Sequence, residues 1–229
     1  MKLSRRTLIG VTAFAGVGAA GIIALPRLLP DAPLLRPPGA LRETKFLASC
    51  IKCGQCLQVC PYHSVKLLDI NAGLAMGTPV ITPAERGCYL CDLLPCVLSC
   101  PSGALDHAVS DARDVHMGIA RVEAPYRCLA LTGQKLSERD IAAVLSDKPA
   151  ITEQEIELHA SLTECAGKDC DICVRFCPYP DRELAIALVP QENGVLPQIR
   201  DKCVGCGVCE ELCPADVILT IPSDREENL

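Results

Sequence analysis

Cys50-Ile51-Lys52-Cys53-Gly54-Gln55-Cys56-Leu57-Gln58-Val59-Cys60-Pro61 decides how this chain is read. Three cysteines stand three residues apart, and a fourth follows, joined to proline. The pattern recurs as Cys88, Cys91, Cys96 and Cys100-Pro101, as Cys165, Cys170, Cys173 and Cys177-Pro178, and as Cys203, Cys206, Cys209 and Cys213-Pro214. Sixteen of the 17 cysteines fall in these runs, and Cys128 is the one left over.

The spacing has a chemical reason. Three thiolates on one tight loop reach three corners of a [4Fe–4S] cubane, and the cysteine before proline serves the other cluster of a pair. The first and last runs keep the C-x2-C-x2-C-x3-C-P spacing of bacterial ferredoxins without change. The expected cofactors are therefore four [4Fe–4S] clusters, and the expected activity is electron transfer. Gly54, Gly205 and Gly207 lie between ligands, where the backbone must turn sharply and approach inorganic sulfide. Structural zinc uses CxxC pairs but does not need the x3-Cys-Pro ending. A disulfide framework suits shorter secreted chains than 229 residues. Covalent haem needs CxxCH, and no CxxC here precedes a histidine.

The N-terminus reads Ser4-Arg5-Arg6-Thr7-Leu8-Ile9 and continues uncharged to Leu25. It has the form of a twin-arginine export signal over residues 1–30, a receptor-read address. That route exports folded, loaded proteins. It suits a chain whose thiols would otherwise meet an oxidising compartment unfolded. A periplasmic location follows as an expectation. Cleavage of the leader and its retention as an inner-membrane anchor both stay open. Setting aside Lys2, Arg5, Arg6 and Arg27 turns the formal charge of −6 into −10, an acidic body that argues against nucleic acid. Pro33, Pro37 and Pro38 mark a linker at 31–45.

Residues 46–229 form the expected four-cluster domain, of the α+β class. It is read as two tandem or nested ferredoxin-like modules of short helices and short antiparallel strands around clusters. A helical turn is expected before each Cys-Pro, with strands at Val65–Ile70, Leu184–Val189, Val195–Ile199 and Val217–Ile221. Tryptophan is absent and aromatics are 3%, so the clusters are expected to serve as core. Residues 134–163 break the pattern as an insertion. Their periodicity predicts two short helices divided by Pro149, read as a solvated hairpin, with a docking face as the alternative. The histidines are scattered, no nucleophile is paired with a base, and no catalytic residue is assigned. His63 reads as a surface or supporting residue.

Stretches outside the cysteine code resemble one family. They are Leu35-Arg36-Pro37-Pro38-Gly39-Ala40, Cys60-Pro61-Tyr62, Gly77-Thr78-Pro79, Cys100-Pro101-Ser102-Gly103-Ala104-Leu105-Asp106 and Met117-Gly118-Ile119-Ala120. They resemble the MauM/NapG-type ferredoxin proteins, periplasmic polyferredoxins. The resemblance implies electrons accepted from a membrane-bound iron–sulfur quinol-oxidising protein and passed to a periplasmic redox enzyme or cytochrome. Nitrate reduction and methylamine dehydrogenase maturation are the implied destinations. The alternative is a wiring subunit of a membrane-bound molybdenum oxidoreductase.

Tandem relatives nest their pairs, which implies run one with run four and run two with run three. The clusters would then take Cys50, Cys53, Cys56 and Cys213; Cys203, Cys206, Cys209 and Cys60; Cys88, Cys91, Cys96 and Cys177; and Cys170, Cys173, Cys100 and Cys165. Cys128-Leu129 with Gly133 resembles the family's first cysteine of the third run. Loop closure favours Cys165, four residues before Cys170, and Cys128 is the alternative ligand.

Overall fold

The structure is a computed structural model that describes residues 33–223; the leader at 1–30 lies outside them. Prolines hold the start of the chain extended until α1 (Glu43–Ser49), whose Phe46 is fully buried. The Arg36 guanidinium lies 4.7 Å from the centre of the Phe46 ring and pairs with Glu43. A one-turn helix, α2 (Gln55–Gln58), starts from Gly54 in the left-handed conformation at φ +74°. The hairpin of β1 (Val65–Leu67) and β2 (Pro79–Ile81) follows, with Lys66 opposite Val80. Then comes α3 (Pro95–Leu98), with proline in its first turn, where no N–H is missed. An isolated bridge between Ala40 and Leu105 joins the two ends of this first module.

The second module has the same plan. It starts with β3 (Gly118–Val122), then α4 (Leu129–Thr132) directly after Cys128. Two helices of the insertion intervene, α5 (Glu138–Leu145) and α6 (Glu153–Thr163). The module resumes with α7 (Ile172–Arg175) and α8 (Arg182–Ala185). The hairpin of β4 (Ile186–Gln191) and β5 (Gly194–Ile199) comes next. It ends with α9 (Val208–Glu211) and β6 (Ile218–Pro222). β6 returns to pair antiparallel with β3, Ala120 opposite Thr220. The expected strands are present with shifted ends, and the α+β class holds. β3 was not expected. It carries a partly apolar stretch that pairs across a hundred residues.

The nested pairing is corrected. Run one packs with run two and run three with run four, because each hairpin closes its own pair of runs and β3–β6 closes the second module on itself. The modules meet at close range. A Cβ on Gly87 would stand 2.5 Å from the Val208 nitrogen across this junction, and within the second module one on Gly205, at φ +67°, would stand 2.3 Å from the Gly118 backbone. Only glycine permits either approach.

The insertion forms the two expected helices, each started by a reciprocal capping box, Ser137 with Asp140 and Thr152 with Glu155. Its reading as a solvated hairpin is corrected. Leu136, Ile141, Val144, Leu158 and Leu162 are buried in the main core with Phe46, Leu94 and Val97. Glu155 has no exposed side-chain surface. Its carboxylate accepts from Arg86 at 3.0 Å, from the amides of Ile151 and Thr152, and pairs with His63 Nδ1 at 2.9 Å. His63 is thus half-exposed and anchors the insertion. Burial pushes the Glu155 carboxyl up, but these donors outweigh it and hold the group down at about 2. Lys148 reaches α9 of the second module, donating to the Glu211 carbonyl at 3.2 Å and pairing with its carboxylate. The same carboxylate accepts from the Gly87 amide and the Tyr89 hydroxyl. The insertion therefore braces both modules. Among the described residues no helix is long and apolar enough to cross a membrane.

Candidate iron–sulfur centres

The cysteines fall into four quartets. Cys56 faces Cys50, Cys53 and Cys100, the first quartet. Cys60, Cys88, Cys91 and Cys96, the second, line one small pocket walled by Val65, Ile81, Leu94 and three prolines. Cys177, Cys203, Cys206 and Cys209 stand together as the third. Cys128, Cys170, Cys173 and Cys213, the fourth, line a small pocket with Ile172, Leu188, Val217 and Ile218. In each quartet three cysteines come from one loop and the fourth is a Cys-Pro cysteine of the partner run, with Cys128 taking the first place in the fourth quartet.

Fifteen of the sixteen expected ligand cysteines join a quartet, and Cys165 does not. Its thiol is buried and donates to the Ser161 carbonyl at 3.4 Å, facing charged residues rather than other cysteines. Cys128 stands there instead because the insertion's ends are pinned together. Lys135 bridges Asp169, and Leu136 exchanges backbone hydrogen bonds with Lys168 and Gly167 at 2.9 and 2.7 Å. The loop from Cys128 to Cys170 is then far shorter in effect than in sequence, and the entropic argument for Cys165 weakens.

The donors suit the group. Burial pushes the Cys56, Cys91 and Cys170 thiols up to about 11 and Cys96 to about 12, so bare thiolates are costly there and bound iron would compensate them. Backbone amides reach the Cys-Pro sulfurs: Ser64 to Cys60 at 3.3 Å, Leu105 to Cys100 at 3.4 Å, and Val217 to Cys213 at 3.3 Å. Hydrogen bonds to sulfur of this kind tune cluster potentials. At Cys100 burial acts upward, but the amides of Leu105, Ser102 and Ala104 and the Ser102 hydroxyl bring the net shift down. A single zinc needs four sulfurs about 2.3 Å from one point. Among the described residues no group of three or more metal-ligating side chains is drawn together that way. Two of the cysteine quartets line small pockets that are almost wholly apolar.

The quartets stand in sequence. Cys56 of the first lies near Cys96 of the second. The Cys88 amide of the second donates to the Cys206 carbonyl of the third at 2.7 Å. Cys209 of the third lies near Cys173 of the fourth. The run pairing and the Cys88–Cys206 contact escaped sequence reasoning. A usable signal existed: a partly apolar stretch that can pair as a strand, Gly118–Val122, precedes Cys128.

Fold and donors define an iron–sulfur electron-transfer protein built from paired ferredoxin modules. The 4Fe-4S dicluster domain matches residues 49–104, spanning runs one and two, and the 4Fe-4S binding domain matches residues 197–219. The methylamine utilization ferredoxin-type protein MauM of Paracoccus denitrificans is 35% identical over 210 residues, covering 90% of this chain and 77% of that protein. MauM of Methylorubrum extorquens is 32% identical, over 92% of this chain and 84% of its own length. The ferredoxin-type protein NapG of Escherichia coli is 32% identical over 78% of this chain and 65% of its own length. No solved structure matches. The chain belongs to the MauM/NapG ferredoxin-type family.

Proposed function

We propose that this protein carries electrons in the periplasm through four [4Fe–4S] clusters, between a membrane-bound iron–sulfur quinol-oxidising protein and a periplasmic reductase such as nitrate reductase. Cubanes bound in the quartets supply one-electron transfer. The ligands of the four are the quartets given above, with Cys128 in place of Cys165. The chain's part is to order them. Each module holds two quartets close together, and the Cys88–Cys206 hydrogen bond joins the modules so that the second and third quartets are neighbours. That contact is the observation carrying the reading, since it sets a cysteine of the second quartet directly against one of the third. Export by the twin-arginine route is supported by Arg5 and Arg6 and by the cost of delivering so many thiols unfolded.

The test is anaerobic fractionation of native cells followed by affinity capture. The protein is expected in the periplasmic or membrane-facing fraction, releasing a redox enzyme on dilution and transferring electrons to it when reduced. A tight equimolar complex with a molybdenum subunit that survives dilution would replace this reading with that of a wiring subunit.

A further inference from the structure

Ser64 stands in the wall of the second quartet's pocket, among Cys60, Cys88, Cys91 and Cys96. It is 3% exposed, and its backbone amide already donates to the Cys60 sulfur at 3.3 Å. Its hydroxyl has no such partner. Ser64 Oγ is one of two side-chain atoms among the described residues that are buried without a hydrogen bond; the other belongs to Thr220, on β6. A hydroxyl taken out of water and left unpaired is costly, so one held in such a place calls for an acceptor. The side chains around it are hydrocarbon, cysteine sulfur and the stacked rings of Tyr62 and Tyr89, and Tyr89 gives its own hydroxyl to Glu211 at 3.0 Å. Negatively charged sulfur is the strongest acceptor that such a pocket can hold.

The second module supplies an internal comparison. Run one passes from Cys60 through Pro61 and Tyr62 to His63, at φ +50°, and then Ser64. Run four passes from Cys213 through Pro214 and Ala215 to Asp216, at φ +48°, and then Val217. The Val217 amide donates to the Cys213 sulfur at 3.3 Å, as that of Ser64 does to Cys60, and Val217 lines the fourth quartet's pocket. The backbone runs alike at the two positions, and the side chains differ. One module presents a hydrocarbon there, the other a hydroxyl.

Resting on the four-cluster reading, we propose that Ser64 tunes the cluster of the second quartet: its hydroxyl donates to a sulfur of that cluster and raises its reduction potential, a bond that Val217 denies the fourth. Reduction adds one electron and one negative charge, so a donor to sulfur stabilises the reduced state more than the oxidised one. The proton stays on Oγ in both states. The second quartet borders the other module through Cys88 and Cys206, so its potential bears on how electrons divide between the modules.

The test is an EPR-monitored redox titration of the full protein carrying Ser64→Thr or Ser64→Val. Both replacements add a branch at Cβ and only threonine keeps the hydroxyl, so the packing change is matched between them. At a fixed ambient potential, the ratio of reduced to oxidised second cluster is expected to be about tenfold lower in S64V than in S64T, which is about 59 mV for one electron. One wave of the titration should move and the others stay. The reciprocal variant Val217→Thr should raise a different single wave. Coincident waves in S64T and S64V at full iron content would overturn the proposal. So would a shift of all the waves together, the mark of a general disturbance. Should S64V fail to hold its iron, Val217→Thr decides alone, and no rise in any of its waves would overturn the proposal. Iron analysis separates the two levels of the argument. A failure of Ser64 appears at full iron content, whereas a deficit of iron in the unmodified protein counts against the cluster reading itself.

Discussion

The Cys88 amide donates to the Cys206 carbonyl at 2.7 Å, tying a cysteine of the second quartet to a cysteine of the third. The two residues lie in different modules, so this hydrogen bond sets how closely the second and third quartets approach. Gly87, one residue before, makes the approach possible and also donates to Glu211.

Gly87→Val should therefore part the modules. Its side chain would collide with the Val208 backbone, and overpacking of this kind costs about 1–3 kcal/mol. Iron content should be kept while electron transfer between modules slows, read as loss of magnetic interaction between reduced clusters by EPR. Unaltered spectra at full iron would show that the junction does not couple the two halves.

Cys165→Ser should leave iron content and spectra unchanged, whereas Cys128→Ser should lose the cluster of the fourth quartet, about four iron atoms. Iron analysis of the two variants reads this directly, and the reverse pattern would return Cys165 to the ligand set.

Glu155→Gln should destabilise the protein by about 3 kcal/mol, because it leaves the buried Arg86 guanidinium without its counter-charge. The carboxyl titrates near 2 in the folded protein, below its ordinary 4.5. A depressed group of this kind contributes stability above its unfolded value and loses it as pH falls toward the folded one. The gap between wild type and variant should be flat from pH 8 to about 5 and narrow below about 4.5. Anaerobic urea unfolding followed by cluster absorbance measures it, and a gap that shrinks already between pH 8 and 6 would point to another group.

Much of this was legible in the sequence, for reasons of range. Ligand loops carry their signal within a dozen residues, so the cysteines, the turns at Gly54, Gly205 and Gly207, and the one-turn helices before Cys-Pro were all readable. The helices divided by Pro149 were readable from their periodicity. Their burial was not, because it depends on Glu155 meeting Arg86 and His63, residues far back in the chain. Run pairing is set by contacts such as β3 with β6, a hundred residues apart. Cys165 looked favoured because sequence distance stood in for loop length, while the Lys135–Asp169 bridge had already closed the loop.

Replacing Arg5 and Arg6 by lysine keeps the leader's charge but removes the twin-arginine address. The double variant should stay in the cytoplasm with its clusters intact, as cell fractionation and EPR of each fraction would show. Undiminished periplasmic delivery would defeat this route.

The central claim is four clusters in one continuous row, and the measurement closest to it is iron and acid-labile sulfide content with EPR on the anaerobically purified, fully reduced protein. The account predicts about sixteen iron and sixteen sulfide per chain, with spectra broadened by interaction among neighbouring clusters. About eight iron or fewer, in protein that shows no sign of cluster loss, would contradict it.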